Sequence, residues 1–176
     1  MISSSRYFLF SAVLLAFLAV LSGMAWVSIV LKPEVGGQEI ALSGFQLEPL
    51  ISSLLILQFL LIALLKFFPS LTRRAGLMVP AVTSFALGVI ALTSVLSQYS
   101  NQIANEITES TGISGTESQL EIIISLEISI TPWLFLLASS LLFSWTLYAV
   151  LSGIRKPLPK ATKQGQEPLD IWSSQR

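Results

Sequence analysis

Four long apolar runs divide the chain, and shorter alternating stretches fill two of the three gaps between them. The runs predict membrane helices at about 7–26, 47–68, 75–97 and 132–154. A helix of about 20 residues rises about 30 Å, the thickness of bilayer hydrocarbon. Arg6 precedes the first run and Trp26 closes it. Pro49 falls in the first turn of the second, where a missing N–H costs little. Trp133 opens the fourth, and Arg155 and Lys156 close it. The two tryptophans suit the interface between hydrocarbon and water.

The first gap alternates. Val27, Ile29 and Leu31 are interleaved with Ser28, Val30 and Lys32, a Pro-Glu-Val-Gly-Gly turn follows, and Ile40 and Leu42 alternate with Glu39, Ala41 and Ser43. This predicts a β-hairpin over 27–43. In the third gap every even position from Leu120 to Ile130 is apolar. A period of two predicts a strand over 120–131, and a helix there would set Glu121 and Glu127 on opposite faces. Just before it, Leu96, Tyr99, Ile103 and Ile107 keep helical spacing, so the third helix is expected to extend to about 109, until Gly112 and Gly115 break it. A lone hairpin is marginal in water, and the later strand supplies a third partner. The expected fold is therefore a four-helix membrane bundle over residues 1–156 with a small extracytoplasmic β-sheet. A polar, proline-bearing tail, 157–176, is expected to be a disordered cytoplasmic segment.

Charge sets the orientation. Nine of the ten Lys/Arg lie before the first run, around the second gap or in the tail, against two acidic residues, a balance of +7. The first and third gaps, together with Glu48 at the head of the second run, carry eight acidic residues and one lysine, a balance of −7. The positive-inside pattern then places both termini in the cytoplasm of a multi-pass plasma (inner) membrane protein. The first run exceeds the roughly 7–15 apolar residues of a signal peptide, so an uncleaved anchor is expected. The basic face is read as contact with anionic lipid, with no nucleic-acid binding.

Chemistry is sparse. The chain has neither Cys nor His, which removes disulfides, thiolates and imidazole ligands. No cofactor or metal site is expected, and the serines lack an activating base, so no enzyme is expected. Glu106, Glu109, Glu117, Glu121 and Glu127 do not have the ligand spacing of a calcium loop. Gln58 is the one strongly polar side chain near the middle of a run, and it predicts an interhelical hydrogen bond. Small residues recur four apart at Ala12/Ala16, Ala19/Gly23, Ser84/Gly88 and Ser140/Ser144, which suits close helix packing or a homo-oligomer face. In the tail, Asp170 and Trp172 are candidates for docking a cytoplasmic protein partner.

Several short elements carry a resemblance. Ser22 and Trp26 end the first helix before a Val-rich stretch; Gly44, a short spacer and Pro49 open the second; Arg73 and Arg74 precede Gly76; Thr131-Pro132-Trp133 enters the last helix; and Asp170-Ile171-Trp172 lies in the tail. Together they resemble the tryptophan-associated transmembrane proteins of actinobacteria. Ala25 stands where that family has Pro, and the family's Gly-Glu-Asp-Pro-Thr-like end is missing. The resemblance implies a non-enzymatic membrane accessory protein associated with tryptophan biosynthesis, and brings no catalytic residues. The alternative is a small oligomeric transport component for tryptophan, indole or a related aromatic solute. The scarcity of intramembrane charge favours the accessory reading, because ion-coupled transporters normally use such charges.

Overall fold

The computed structural model describes residues 2–35, 37–65, 67, 75–96, 101–152 and 154–155. Strand β1 (Ile2–Ser3) leads into helix α1 (Ser4–Gly23), then strand β2 (Ala25–Leu31), a 3-10 turn at Pro33–Val35, and strand β3 (Glu39–Ser43). Helices α2 (Gly44–Leu47), α3 (Leu50–Leu64), α4 (Met78–Leu96), α5 (Asn101–Thr111) and α6 (Thr116–Ile122) follow. Strand β4 (Ile123–Ile128), helix α7 (Thr131–Ser152) and strand β5 (Ile154–Arg155) complete the order. The protein is mostly helical, with one three-stranded sheet.

The helices Ser5–Gly23, Met78–Leu96 and Thr131–Ser152 are long and apolar enough to cross a membrane, and Leu50–Leu64 is an apolar helix of shorter length. α1 packs on α3 and α7, and α4 packs on the same two helices. The four therefore close a ring, each touching its two neighbours. Much of the outward surface is large and apolar, with Leu9, Phe17, Phe59, Val82, Leu137 and Leu151 all exposed. That is the surface expected against lipid, where exposed apolar area carries no penalty.

The second helix departs from the expected 47–68. It starts as the single turn α2, breaks at Glu48–Pro49 and restarts at Leu50. Ser43 accepts from the Gln46 amide while the Gln46 side chain accepts from the Ser43 amide, a complete capping box. Glu48 is driven to φ −136°, ψ 84° because the following proline disfavours the helical region. The first helix also differs: it stops at Gly23, and Trp26 belongs to β2 rather than to the helix end. Residues 97–100 and the tail from 156 lie outside the described residues, so the junction expected between the third helix and its extension falls there. α5 beyond it is helical and buries Ile103 and Ile107.

The sheet has the order β3-β2-β4, with β2 antiparallel to both neighbours. The hairpin expectation holds. The later strand is shorter than 120–131, because Thr116–Ile122 is helical and only Ile123–Ile128 is extended. Gln119 explains the helix. It is buried, and its Nε2 donates to Ala104 O at 2.9 Å, Thr108 Oγ1 at 2.8 Å and Ile113 O at 2.9 Å. This anchorage to α5 outweighs the local alternation. Within β4 the register slips between the pairs Val30–Ser125 and Leu31–Ile123. Ile124 is the extra residue of that bulge and is 57% exposed. Val27, Ile29, Leu31 and Leu42 join Ile103 and Ile107 in one core that continues into the helix ring.

Candidate functional site

Two features stand apart from ordinary packing: the joint between sheet and helix ring, and a layer of polar side chains inside the ring.

The joint is built on Trp26. Its indole is 1% exposed, so it is a core side chain rather than an exposed anchor. Its Nε1 donates to Leu21 O at 2.9 Å. That carbonyl belongs to the last turn of α1, beyond the reach of the helix's own i+4 amides, and it also accepts a longer bond from the Met24 amide at 3.3 Å. The ring lies against Phe135 of α7, centroids 5.3 Å apart. It also lies on Gly44, where an added Cβ would come within 2.5 Å of it. Ser129 adds a second tie: its amide donates to Trp26 O at 2.9 Å and its hydroxyl to Ala25 O at 2.7 Å. The same hydroxyl accepts from the Thr131 amide at 3.2 Å and so caps the entry of α7. Ser22, also buried, bonds back to Leu18 O at 2.8 Å. Two residues singled out by the sequence, Trp26 and Gly44, thus meet here, while the Ser22 hydroxyl turns back into α1. Pro49 is exposed at the head of α3, and Trp133 is 49% exposed one residue pair into α7.

The polar layer lies toward the end of the ring where β1 and β5 sit. Gln58 of α3 is fully buried and donates to Pro80 O at 3.0 Å and Ser84 Oγ at 2.8 Å. Its Oε1 accepts from the Thr83 hydroxyl. Both amide protons and the carbonyl are therefore satisfied, as a fully buried amide requires. The interhelical bond expected of Gln58 is present, with α4 as the partner. Across the ring, Tyr7 and Ser11 of α1 and Thr146 of α7 are also 0% exposed. Gln58 and Thr146 each sit six residues from the end of their helices, Ser84 six from the start of its own, and Tyr7 and Ser11 three and seven from Ser4. At about 1.5 Å per residue these distances place all of them in one slab. Only Gln58 stood out in the sequence. The hydroxyl residues are individually commonplace in membrane helices, and no spacing links them across the chain.

The small-residue pairs divide. A Cβ on Gly88 would stand 3.3 Å from Ser139 Oγ, so this glycine permits the close approach of α4 and α7. Ser84, Gly88 and Ser140 line a groove of about 310 Å³ between those helices. Ala12, Ala16 and Ala19 line another of about 360 Å³ beside Leu55 and Phe59. Among the described residues no group of three or more acidic side chains is placed to hold a metal ion. Arg73, Arg74, Asp170 and Trp172 lie outside the described residues.

No protein-family model matches the chain, and no curated protein or solved structure matches it either.

Proposed function

We propose that the chain is a four-span integral membrane protein of the plasma membrane, with both termini cytoplasmic, acting as a non-enzymatic accessory protein. It holds an acidic α/β cap rigidly outside the bilayer while its tail engages a partner inside. The observation that carries this reading is the Trp26 joint. One indole bonds α1, rests on Gly44 and packs on α7, so cap and helix ring move as one piece. Such a joint suits a scaffold better than a carrier, which has to rock one half against another.

The four-span topology is supported by the chain ends. β1 pairs in parallel with β5, through Ile2–Ile154 and Ser3–Arg155. Ends that meet at one side of the ring fit an even number of crossings, which supports a crossing by α3 beside the three longer helices. The charge balance of +7 and −7 supports cytoplasmic termini and an outer cap. The tie to tryptophan metabolism rests on the sequence resemblance alone.

Crosslinking in native membranes followed by recovery of the full chain tests the accessory role. Recovery of a cytoplasmic protein such as a tryptophan-pathway enzyme, lost on truncation at Pro157 or in Trp172→Ala, is the expected result. Equal recovery after both changes contradicts tail docking.

The alternative, an oligomeric transport component for an uncharged aromatic, draws support from the buried layer of neutral polar groups. Uptake of tryptophan or indole by proteoliposomes, abolished by Gln58→Leu, would favour it over the scaffold.

A further inference from the structure

One seam of the helix ring carries an aromatic stripe that ends in a cation. Phe10 of α1 lies against Trp145 of α7, ring centroids 4.7 Å apart, and the Trp145 ring lies 6.2 Å from that of Tyr148. Phe10 is 39% and Tyr148 52% exposed, so the stripe faces out of the ring. Arg6 is also exposed and precedes Phe10 by four residues in α1, the spacing that sets two side chains one above the other on one helix face. Among the described residues Arg6 is the one cation in the four ring helices.

The depths are ordered. The β1–β5 pairing brings the start of α1 and the end of α7 to one level. Arg6 is two residues from Ser4, and Phe10, Tyr148 and Trp145 lie six, four and seven residues from the ends of their helices. At about 1.5 Å per residue the cation stands about 3 Å from that rim and the rings about 6–10 Å. This is the order of groups in a phospholipid, with the charged headgroup at the rim and the acyl chain beneath. Trp145 is not a water-held interface anchor. An interfacial indole turns its N–H to the wet side, whereas Trp145 Nε1 is buried with no hydrogen-bond partner among the described residues.

We propose that this seam binds one anionic phospholipid, its phosphate on Arg6 and an acyl chain along Phe10, Trp145 and Tyr148. Charge selects the occupant. A guanidinium matches a phosphate, and neither Ser4–Gly23 nor Thr131–Ser152 contains an Asp or Glu to take its place. A second copy packed symmetrically on the same seam would set Arg6 against Arg6. The site rests on the ring lying in a bilayer, and it needs neither the accessory role nor a particular orientation.

The test is quenching of tryptophan fluorescence by lipids with brominated acyl chains, in the full chain carrying Trp133→Phe and Trp172→Phe and reconstituted in vesicles. Trp145 then reports the seam, since Trp26 is sealed in the joint at 1% exposure. Brominated phosphatidylglycerol should be preferred over brominated phosphatidylcholine at Trp145 by about fivefold, what one basic residue supplies near an anionic surface. The preference should vanish in Arg6→Gln, survive in Arg6→Lys and shrink as salt is raised. Equal quenching by the two lipids, or a preference unchanged by Arg6→Gln, overturns the proposal. A companion chain carrying Trp145→Phe and Trp172→Phe keeps Trp133, which is 49% exposed. Neutral brominated lipid should quench Trp133 and so report that the ring lies in the bilayer. Quenching there with none at Trp145 would mean that a second copy or another segment covers the seam, and overturns the lipid site alone. Quenching at neither position overturns the membrane reading as well.

Discussion

The indole of Trp26 lies across Gly44 so closely that a Cβ on the glycine would stand 2.5 Å from Cε2 and 2.7 Å from Cζ2. The ring cannot retreat cheaply. Its Nε1 holds Leu21 O and its face packs on Phe135. Glycine at 44 is therefore a requirement of contact, set by a residue 18 positions earlier in the chain.

Gly44→Ala is expected to destabilise the protein by about 1–3 kcal/mol, the usual cost of overpacking a filled core. Gly23→Ala serves as the control, because its added Cβ would meet only Phe45 Cε2 at 4.0 Å. Thermal unfolding in detergent checks the pair. Equal behaviour of the two variants would show that the joint yields.

Gln58→Leu is expected to cost about 0.6 kcal/mol and no more than about 1.7, the average and maximum for hydrogen bonds between membrane helices. The loss stays small because Ser84 already donates to Pro80 O at 2.7 Å, and Thr83, once released from the Gln58 carbonyl, can turn its hydroxyl to the same oxygen, 3.1 Å away. A double-mutant cycle with Ser84→Ala measures the pairwise part. Zero coupling would mean that the 2.8 Å contact between the two side chains contributes nothing.

The bulge in β4 separates two isoleucine-like positions that the alternation treats alike. Ile124 is the unpaired, exposed residue, so Ile124→Lys should change stability by no more than about 0.5 kcal/mol. Leu126 pairs with the fully buried Ile29, so Leu126→Asp should cost about 2–3 kcal/mol by placing a charge at the edge of the core. Chemical denaturation of the two variants checks the order. The reverse order would mean that the register of β4 is shifted by one residue.

Much of this fold was legible because hydrophobic periodicity is local. The apolar runs gave the long helices, and the alternation of Val27, Ile29 and Leu31 gave the central strand of the sheet. Where a distant contact outweighs local pattern, the sequence misleads. Residues 120–122 alternate like a strand yet are helical, because Gln119 is held by Ala104, Thr108 and Ile113. Trp26 reads as the end of a membrane helix, and only Gly44, in the next loop, hints that it turns inward. Gln58 was visible as a lone amide in an apolar run. Tyr7, Ser11 and Thr146 were not, since a single phenol or hydroxyl in a membrane helix carries no spacing that marks its partners.

The topology is the claim on which the rest depends, and the absence of native cysteine makes it directly measurable. Single cysteines at Ser114, exposed in the cap, and at Ser70, in the basic second gap, would be treated in intact cells with a membrane-impermeant maleimide. Ser114→Cys should label at once, and Ser70→Cys only after permeabilisation. Labelling of both positions in intact cells, or of Ser70→Cys alone, would contradict a four-span protein with its acidic cap outside and its termini within.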